Sequence, residues 1–251
     1  FNTSQRFMIA PTLEQEKELR MTIKSVSFDL DDTFWPLMPT IMDAERNART
    51  WIKENYEAAL TSLDRESSLE IRDQLLRSDS TIVNRLSELR QKIFYEAGIR
   101  SGYSAHDSKI MADSAFEIFF KGRNNVTFYD GVIEILELLK KDYSLGVVTN
   151  GNADLKMIGI DHYFDYILSP VELNAHKPDP AMFDAVLDIT GLDRSEICHI
   201  GDHPVNDVKA SYDFGLKAIW FNENEEEFPI KDIKVPEFSD WKKLPEMLKA
   251  I

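Results

Sequence analysis

After Tyr129 the chain alternates between short apolar runs and amphipathic segments, and this alternation limits the fold more than any other feature. YSLGVVTNG, FDYILSP, EICHIGD and LKAIWFN read as strands. GVIEILELLKKD, NADLKMIGI, DPAMFDAVLDITG and PVNDVKASYDFG read as the helices between or after them. Strands joined through helical crossovers run parallel, so this half of the chain is an α/β fold with a parallel sheet. KSVSFDL, residues 24–30, has the composition of one more buried strand but lies far upstream. The residues between it and the later strands have a different texture. PTIMDAERNARTWIKENYEAAL, DRESSLEIRDQLLRS, TIVNRLSELRQKIFYEAG and SAHDSKIMADSAFEIFFKG carry apolar residues at three- and four-residue spacing, with almost no internal glycine or proline. They predict four helices of a small bundle, with Gly98 and Gly122 as helix stops.

The expected organisation is therefore an α/β core built from residues 21–35 and 123–251, with an all-α insert over residues 36–122. SDWKKLPEMLKAI reads as a closing helix, and ENEEEF as a solvated loop. Residues 1–20 read as an extension in which TLEQEKEL is helical with Thr12 as N-cap, and Met21 is an alternative start.

Charge narrows the function. With 29 basic and 44 acidic side chains the formal charge is −15, so the chain has no footprint for nucleic-acid phosphate and no polybasic patch for a membrane. An anionic substrate would need placed cations or a metal. No run of about 18 apolar residues is present. FNTSQRFMIAP does not read as a signal peptide, and the single cysteine, Cys198, lies in the apolar run EICHIG as a small hydrophobe. The expectation is a cytoplasmic protein.

In parallel α/β sheets ligands bind beyond the carboxyl ends of the strands, where strand order reverses. The strand ends here carry Asp29, Asp31 and Asp32; then Thr149, Asn150 and Gly151; then Lys177, expected at the start of a helix; then Gly201, Asp202 and Asp207. Carboxylates this crowded cannot all ionise without a partner, and a hard divalent cation with oxygen ligands is a suitable one. Asp29 and Asp31 would turn toward one Mg²⁺, the latter through its carbonyl, and Asp202 would complete the site if the reversal lies between the first and fourth strands. Thr149, Asn150, Gly151 and Lys177 are suited to holding phosphate oxygens. Asp32 reads as a turn or helix-cap residue. His176 and His203 read as loop or helix-start residues, and Trp35 as a hinge residue or a substrate-stacking one.

DLDDT, TN, the lysine of HKPDP and GDHPVND resemble, in order, the four motifs of the haloacid dehalogenase (HAD) superfamily, and the helical insert resembles its C1 cap. The resemblance implies a Rossmann-like core and an Mg²⁺-dependent phosphatase acting on a small phosphate ester. Asp29 would be the nucleophile, forming an aspartyl-phosphate, and Asp31 the general acid and base. Thr149 and Asn150 would bind the phosphoryl group, Lys177 would neutralise its charge, Asp202 would bind the metal, and Asp207 would orient the metal's waters or Lys177. TNGNADL, DYILSPVELNAHKPDPAMF and DWKKLPEML are similar to the bacterial FMN-phosphatase-like branch, which implies sugar, ribityl or nucleotide monophosphates, FMN included. Other hydrolases of the scaffold, the dehalogenases and phosphonatases, are the alternative. Asp31 favours phosphate esters, because an alkoxide leaving group needs a proton and a halide does not. A receiver-like phospho-acceptor module is a non-enzyme alternative, but it has no insert after its first strand.

Overall fold

The computed structural model of the chain describes residues 23–251, so Thr12, Met21 and the extension 1–20 lie outside the described residues. The strands are β1 (Ser25–Phe28), β2 (Ser144–Val148), β3 (Tyr166–Leu168), β4 (Ile197–Gly201), β5 (Lys217–Phe221) and β6 (Glu237–Phe238). They form one parallel sheet of order β3-β2-β1-β4-β5-β6. The α/β architecture expected from the alternation is the observed one. β1 is central, and the order reverses between β1 and β4, which puts the ends of both strands at the switch point. The two-residue β6 has no signal in the sequence, because a strand this short shows no periodicity.

The four insert helices are α1 (Leu37–Asn55), α2 (Arg65–Ser78), α3 (Leu86–Arg100) and α4 (Ala105–Arg123). Their buried apolar residues, from Ala44 to Phe119, form a core separate from those under the sheet. Gly98 and Gly122 do not stop their helices, which run on to Arg100 and Arg123. Each glycine instead admits a neighbouring helix: a Cβ would lie 2.7 Å from Ser108 Oγ at Gly98 and 2.9 Å from Ala44 Cα at Gly122. Helix contact, not termination, explains both.

The remaining helices are α5 (Val132–Leu139), α6 (Leu155–Ile158), α7 (Pro170–Leu173), α8 (Ala181–Thr190), α9 (Ala210–Phe214) and α10 (Leu244–Ala250). Among the described residues no helix is long and apolar enough to cross a membrane.

The two faces of β1 differ. Val26 and Phe28 enter an apolar layer with α5 and the C-terminal segment. On the other side Ser25 Oγ meets Tyr166 Oη at 3.0 Å, and Ser27 Oγ meets His199 Nδ1 at 2.9 Å. Trp241 is the hub of the apolar layer. It packs on Phe28, Phe34, Phe221 and Phe238 with ring centroids 5.3 to 6.0 Å away. It therefore supports both β1 and the loop that follows it. Its indole N–H is buried and has no partner among the described residues. Trp241→Ala is expected to destabilise the protein by about 3–5 kcal/mol in urea unfolding. Trp241→Phe should cost far less, because it keeps most of the ring and removes an unsatisfied donor.

Candidate active site

β1 ends by donating the Asp29 N–H to the Ile200 carbonyl at 2.9 Å, which locks the strand end against β4. The Asp29 carboxylate then meets the ammonium of Lys177 at 2.8 Å, and the same ammonium reaches Asp207 at 2.6 Å. Lys177 is 1% exposed. It lies in a turn before α8, not at the start of that helix as the sequence suggested, and this leaves its backbone free for other bonds. Asn150 uses that freedom: its side chain accepts from Lys177 N at 2.7 Å and donates to Lys177 O at 2.8 Å. The Asn150 side chain thus positions the lysine.

Asp202 joins the group from β4. Thr33 Oγ1 donates to Asp202 Oδ1 at 3.0 Å and accepts from Asp202 N at 3.1 Å. One carboxylate oxygen from each of Asp29, Asp202 and Asp207 lies within 4.8 Å of the others. The cluster holds three carboxylates and one ammonium, which bonds two of them, so it has a surplus of negative charge when fully ionised. All-oxygen donors with that surplus fit a hard divalent cation. Asp207 sits in a π-helical turn, Pro204–Lys209, where the sequence suggested an ordinary helix. His203 caps that turn by accepting from Val205 N and Asn206 N.

Burial pushes the Asp29 carboxyl up to about 7 despite the lysine beside it. Burial, with Asp207 and Asp29 nearby, pushes Asp202 up to about 8. Burial opposes ionisation of Asp207 too, but Lys177 and His199 outweigh it and hold that carboxyl well below the usual carboxylate range. Burial also disfavours the Lys177 ammonium, yet Asp207 and Asp29 hold its pKa above the ordinary value. Buried His199, lowered mainly by desolvation, is a neutral ring 3.4 Å from Asp207 Oδ1.

The side chain of Asp31 lies outside this cluster. Arg123 Nη2 donates to its Oδ1 and Oδ2 at 2.8 and 2.7 Å, and Trp35 Nε1 donates to Oδ1 at 2.9 Å. Trp35 is fully buried, so it orients Asp31 and has no face for a substrate. Thr149 Oγ1 accepts from Gly151 N at 2.9 Å. A Cβ on Gly151 would lie 2.4 Å from Asp31 Oδ2, so the carboxylate needs a glycine there. Asp32 has φ +59°, and its carboxylate accepts from Leu37 N at 2.8 Å, which caps the start of α1. His176 bonds Asn84 and contributes no atom to the cluster.

The sequence reading missed Thr33, His199 and Arg123. Thr33 follows the aspartates directly and was legible in DLDDT as a hydroxyl at a charged strand end. Arg123 gave no signal, because the helix was expected to stop at Gly122 and nothing local ties the next residue to Asp31.

The pKa shifts set a sign. Asp29 and Asp202 bind protons more tightly in the folded chain than in the unfolded one. In chelated protein their contribution to stability is complete below the unfolded value, about 4, and is lost as pH rises to about 8. Asp207 has the opposite slope, confined to acid below that range. Calorimetry in EDTA should show stability from this cluster falling from about pH 5 to about pH 8. A divalent cation should restore it, with the largest gain at the alkaline end, where no proton has to be displaced. A gain independent of pH would remove the cation from these carboxylates.

A profile of the haloacid dehalogenase-like hydrolases matches residues 26–221. The 5-amino-6-(5-phospho-D-ribitylamino)uracil phosphatase YigB of Escherichia coli (strain K12) is 29% identical over 198 residues, covering 79% of this chain and 83% of that protein. The glyceraldehyde 3-phosphate phosphatase of Methanopyrus kandleri is 25% identical over 224 residues, covering 86% of this chain and 92% of that one. Among solved structures, the 2-haloacid dehalogenase from Pseudomonas syringae pv. Tomato DC3000 aligns with a TM-score of 0.87 at 36% identity, over 91% of this chain and 99% of that one.

Proposed function

Because the chain belongs to the haloacid dehalogenase-like hydrolase family, we propose that it is an Mg²⁺-dependent phosphatase of small phosphorylated metabolites. The observation that carries this reading is the Lys177 ammonium bonded to Asp29 and Asp207, with Asp202 completing a carboxylate cluster that a divalent cation fits. Sugar, ribityl and nucleotide monophosphates, FMN among them, are the proposed substrates, in keeping with the likeness to YigB. The helical block 36–122 acts as the cap over the strand ends.

Asp29 attacks phosphorus, forming an aspartyl-phosphate as the bond to the ester oxygen breaks. Asp31 gives its proton to the departing alkoxide, and then takes one from the water that attacks the aspartyl-phosphate. That attack frees Asp29 and releases phosphate. Lys177 screens the phosphoryl charge, and Thr149 with the backbone N–H groups of Asn150 and Gly151 holds its oxygens. The ion would be held by Asp29, Asp202 and the Asp31 carbonyl, with Asp207 holding Lys177. When bound, it supplies charge neutralisation at the phosphoryl oxygens.

The Arg123 fork and the Trp35 N–H fix the position of the Asp31 side chain for both halves of the cycle. The likeness to the Pseudomonas syringae dehalogenase favours a second reading, hydrolysis of a carbon–halogen bond. Asp31 separates the two, since a halide leaves without a proton.

With Mg²⁺ the protein is expected to hydrolyse p-nitrophenyl phosphate and to lose that activity in EDTA. Asp29→Asn should lower turnover by about three orders of magnitude or more while the far-UV circular dichroism is retained. Full activity in D29N would overturn the nucleophile assignment. Release of halide from 2-haloacids, surviving in Asp31→Asn, would favour the dehalogenase.

A further inference from the structure

The helical block and the core enclose a cavity of about 670 Å³ that opens beside Asp31 and Gly151. A transferring phosphoryl group needs only the strand ends, so the cavity receives the remainder of a substrate. Its charge runs against that of the molecule. In a chain of formal charge −15, five arginines line it against two carboxylates, Asp31 and Glu45.

The carboxylates do not balance the arginines. Glu45 is shared, taking Arg49 Nε at 2.8 Å and Arg90 Nη1 at 2.5 Å. Arg90 also lies over the Phe119 ring, 3.8 Å from its centroid, which fixes the guanidinium in the wall. Arg123 spends Nη2 on Asp31, but its Nη1 is buried with no hydrogen-bond partner among the described residues. Arg65 and Arg72 line the cavity from α2, seven positions apart and therefore on one face of that helix. Neither has a carboxylate partner among the described residues. Much of the remaining wall is aliphatic or aromatic, including Leu37, Ile41 and Ile93. Positive charge and an orphaned buried donor beside apolar surface are stabilised by an anion that brings its own acceptors.

We infer that this cavity binds a second anionic group, a carboxylate or a second phosphate, carried by the substrate at a distance from the phosphoryl group that reacts, with Arg65 and Arg72 among the residues that select it. The inference rests on the phosphatase reading for the first anion only, and it narrows the proposed monophosphates to those whose remainder is itself anionic.

Titration calorimetry with the full-length, Mg²⁺-loaded protein tests it. The probes are alkylphosphonates of about three to eight carbons ending in methyl, carboxylate or a second phosphonate. At one or more lengths an anionic end should bind about tenfold more tightly than methyl, the size of one added charge-assisted hydrogen bond. The better of the two anionic ends identifies the group. Arg65→Gln and Arg72→Gln, both at exposed positions, should each lower that ratio about fivefold. Arg77→Gln removes the same charge from α2 outside the cavity and should leave the ratio unchanged. Equal binding of methyl and anionic ends at every length overturns the inference and leaves the phosphatase reading intact. So does a loss in R77Q as large as that in R72Q, which would reveal a diffuse field without a site. Binding of no probe overturns both readings.

Discussion

A single buried ammonium holds the strand ends together. Lys177 has almost no contact with water, and it is stable there because Asp29 and Asp207 each give it a carboxylate oxygen. Two charges taken out of water are costly singly and tolerable only when paired and hydrogen-bonded. The neighbouring parts serve that requirement. Asn150 grips the lysine backbone on both sides, Thr33 orients Asp202, and the neutral ring of His199 sits against Asp207. One ammonium still cannot neutralise three carboxylates. Burial, with the neighbouring carboxylates adding to it, raises Asp29 and Asp202, and a divalent cation is the kind of group that such a cluster fits.

The sheet makes this arrangement possible. The order β3-β2-β1-β4-β5-β6 sets β1 between β2 and β4, so the residues after three adjacent strands share one edge. Below that edge the aromatic cluster around Trp241 supports Phe28 in β1 and Phe34 in the loop after it. The aspartates are thus carried on a short segment fixed from beneath by packing and from the side by the β4 ladder.

Asp31 belongs to a second polar system that crosses from core to helical block. Its carboxylate is held by Trp35 from the departing loop and by Arg123 from the last residue of α4. Asp31 and the insert are therefore in direct contact. Any displacement of α4 relative to the core would act on the Asp31 bonds. The same block supplies the arginines of the cavity, so the cation that holds Asp31 and the cations of that wall belong to one body.

Much of this was written locally. Alternating strand and helix patterns dictated a parallel α/β fold, because hydrophobic periodicity acts over a few residues and survives in one dimension. The acidic strand end, Thr149, Lys177 and Asp202 could be assigned to one rim, because parallel strands all end on the same side. Asp32 as a cap and His203 at a helix start were legible for the same local reason. What the sequence could not contain was distance between remote residues. Gly98 and Gly122 read as stops but admit neighbouring helices, facts about α3–α4 and α1–α4 packing that no single helix records. Arg123 lay just past the expected helix stop at Gly122, and only the folding of the insert back onto the core brought it against Asp31, 92 residues away in the chain. The net charge of −15 likewise concealed a basic cavity, because composition sums charge over the whole surface while tertiary structure decides which charges face one another.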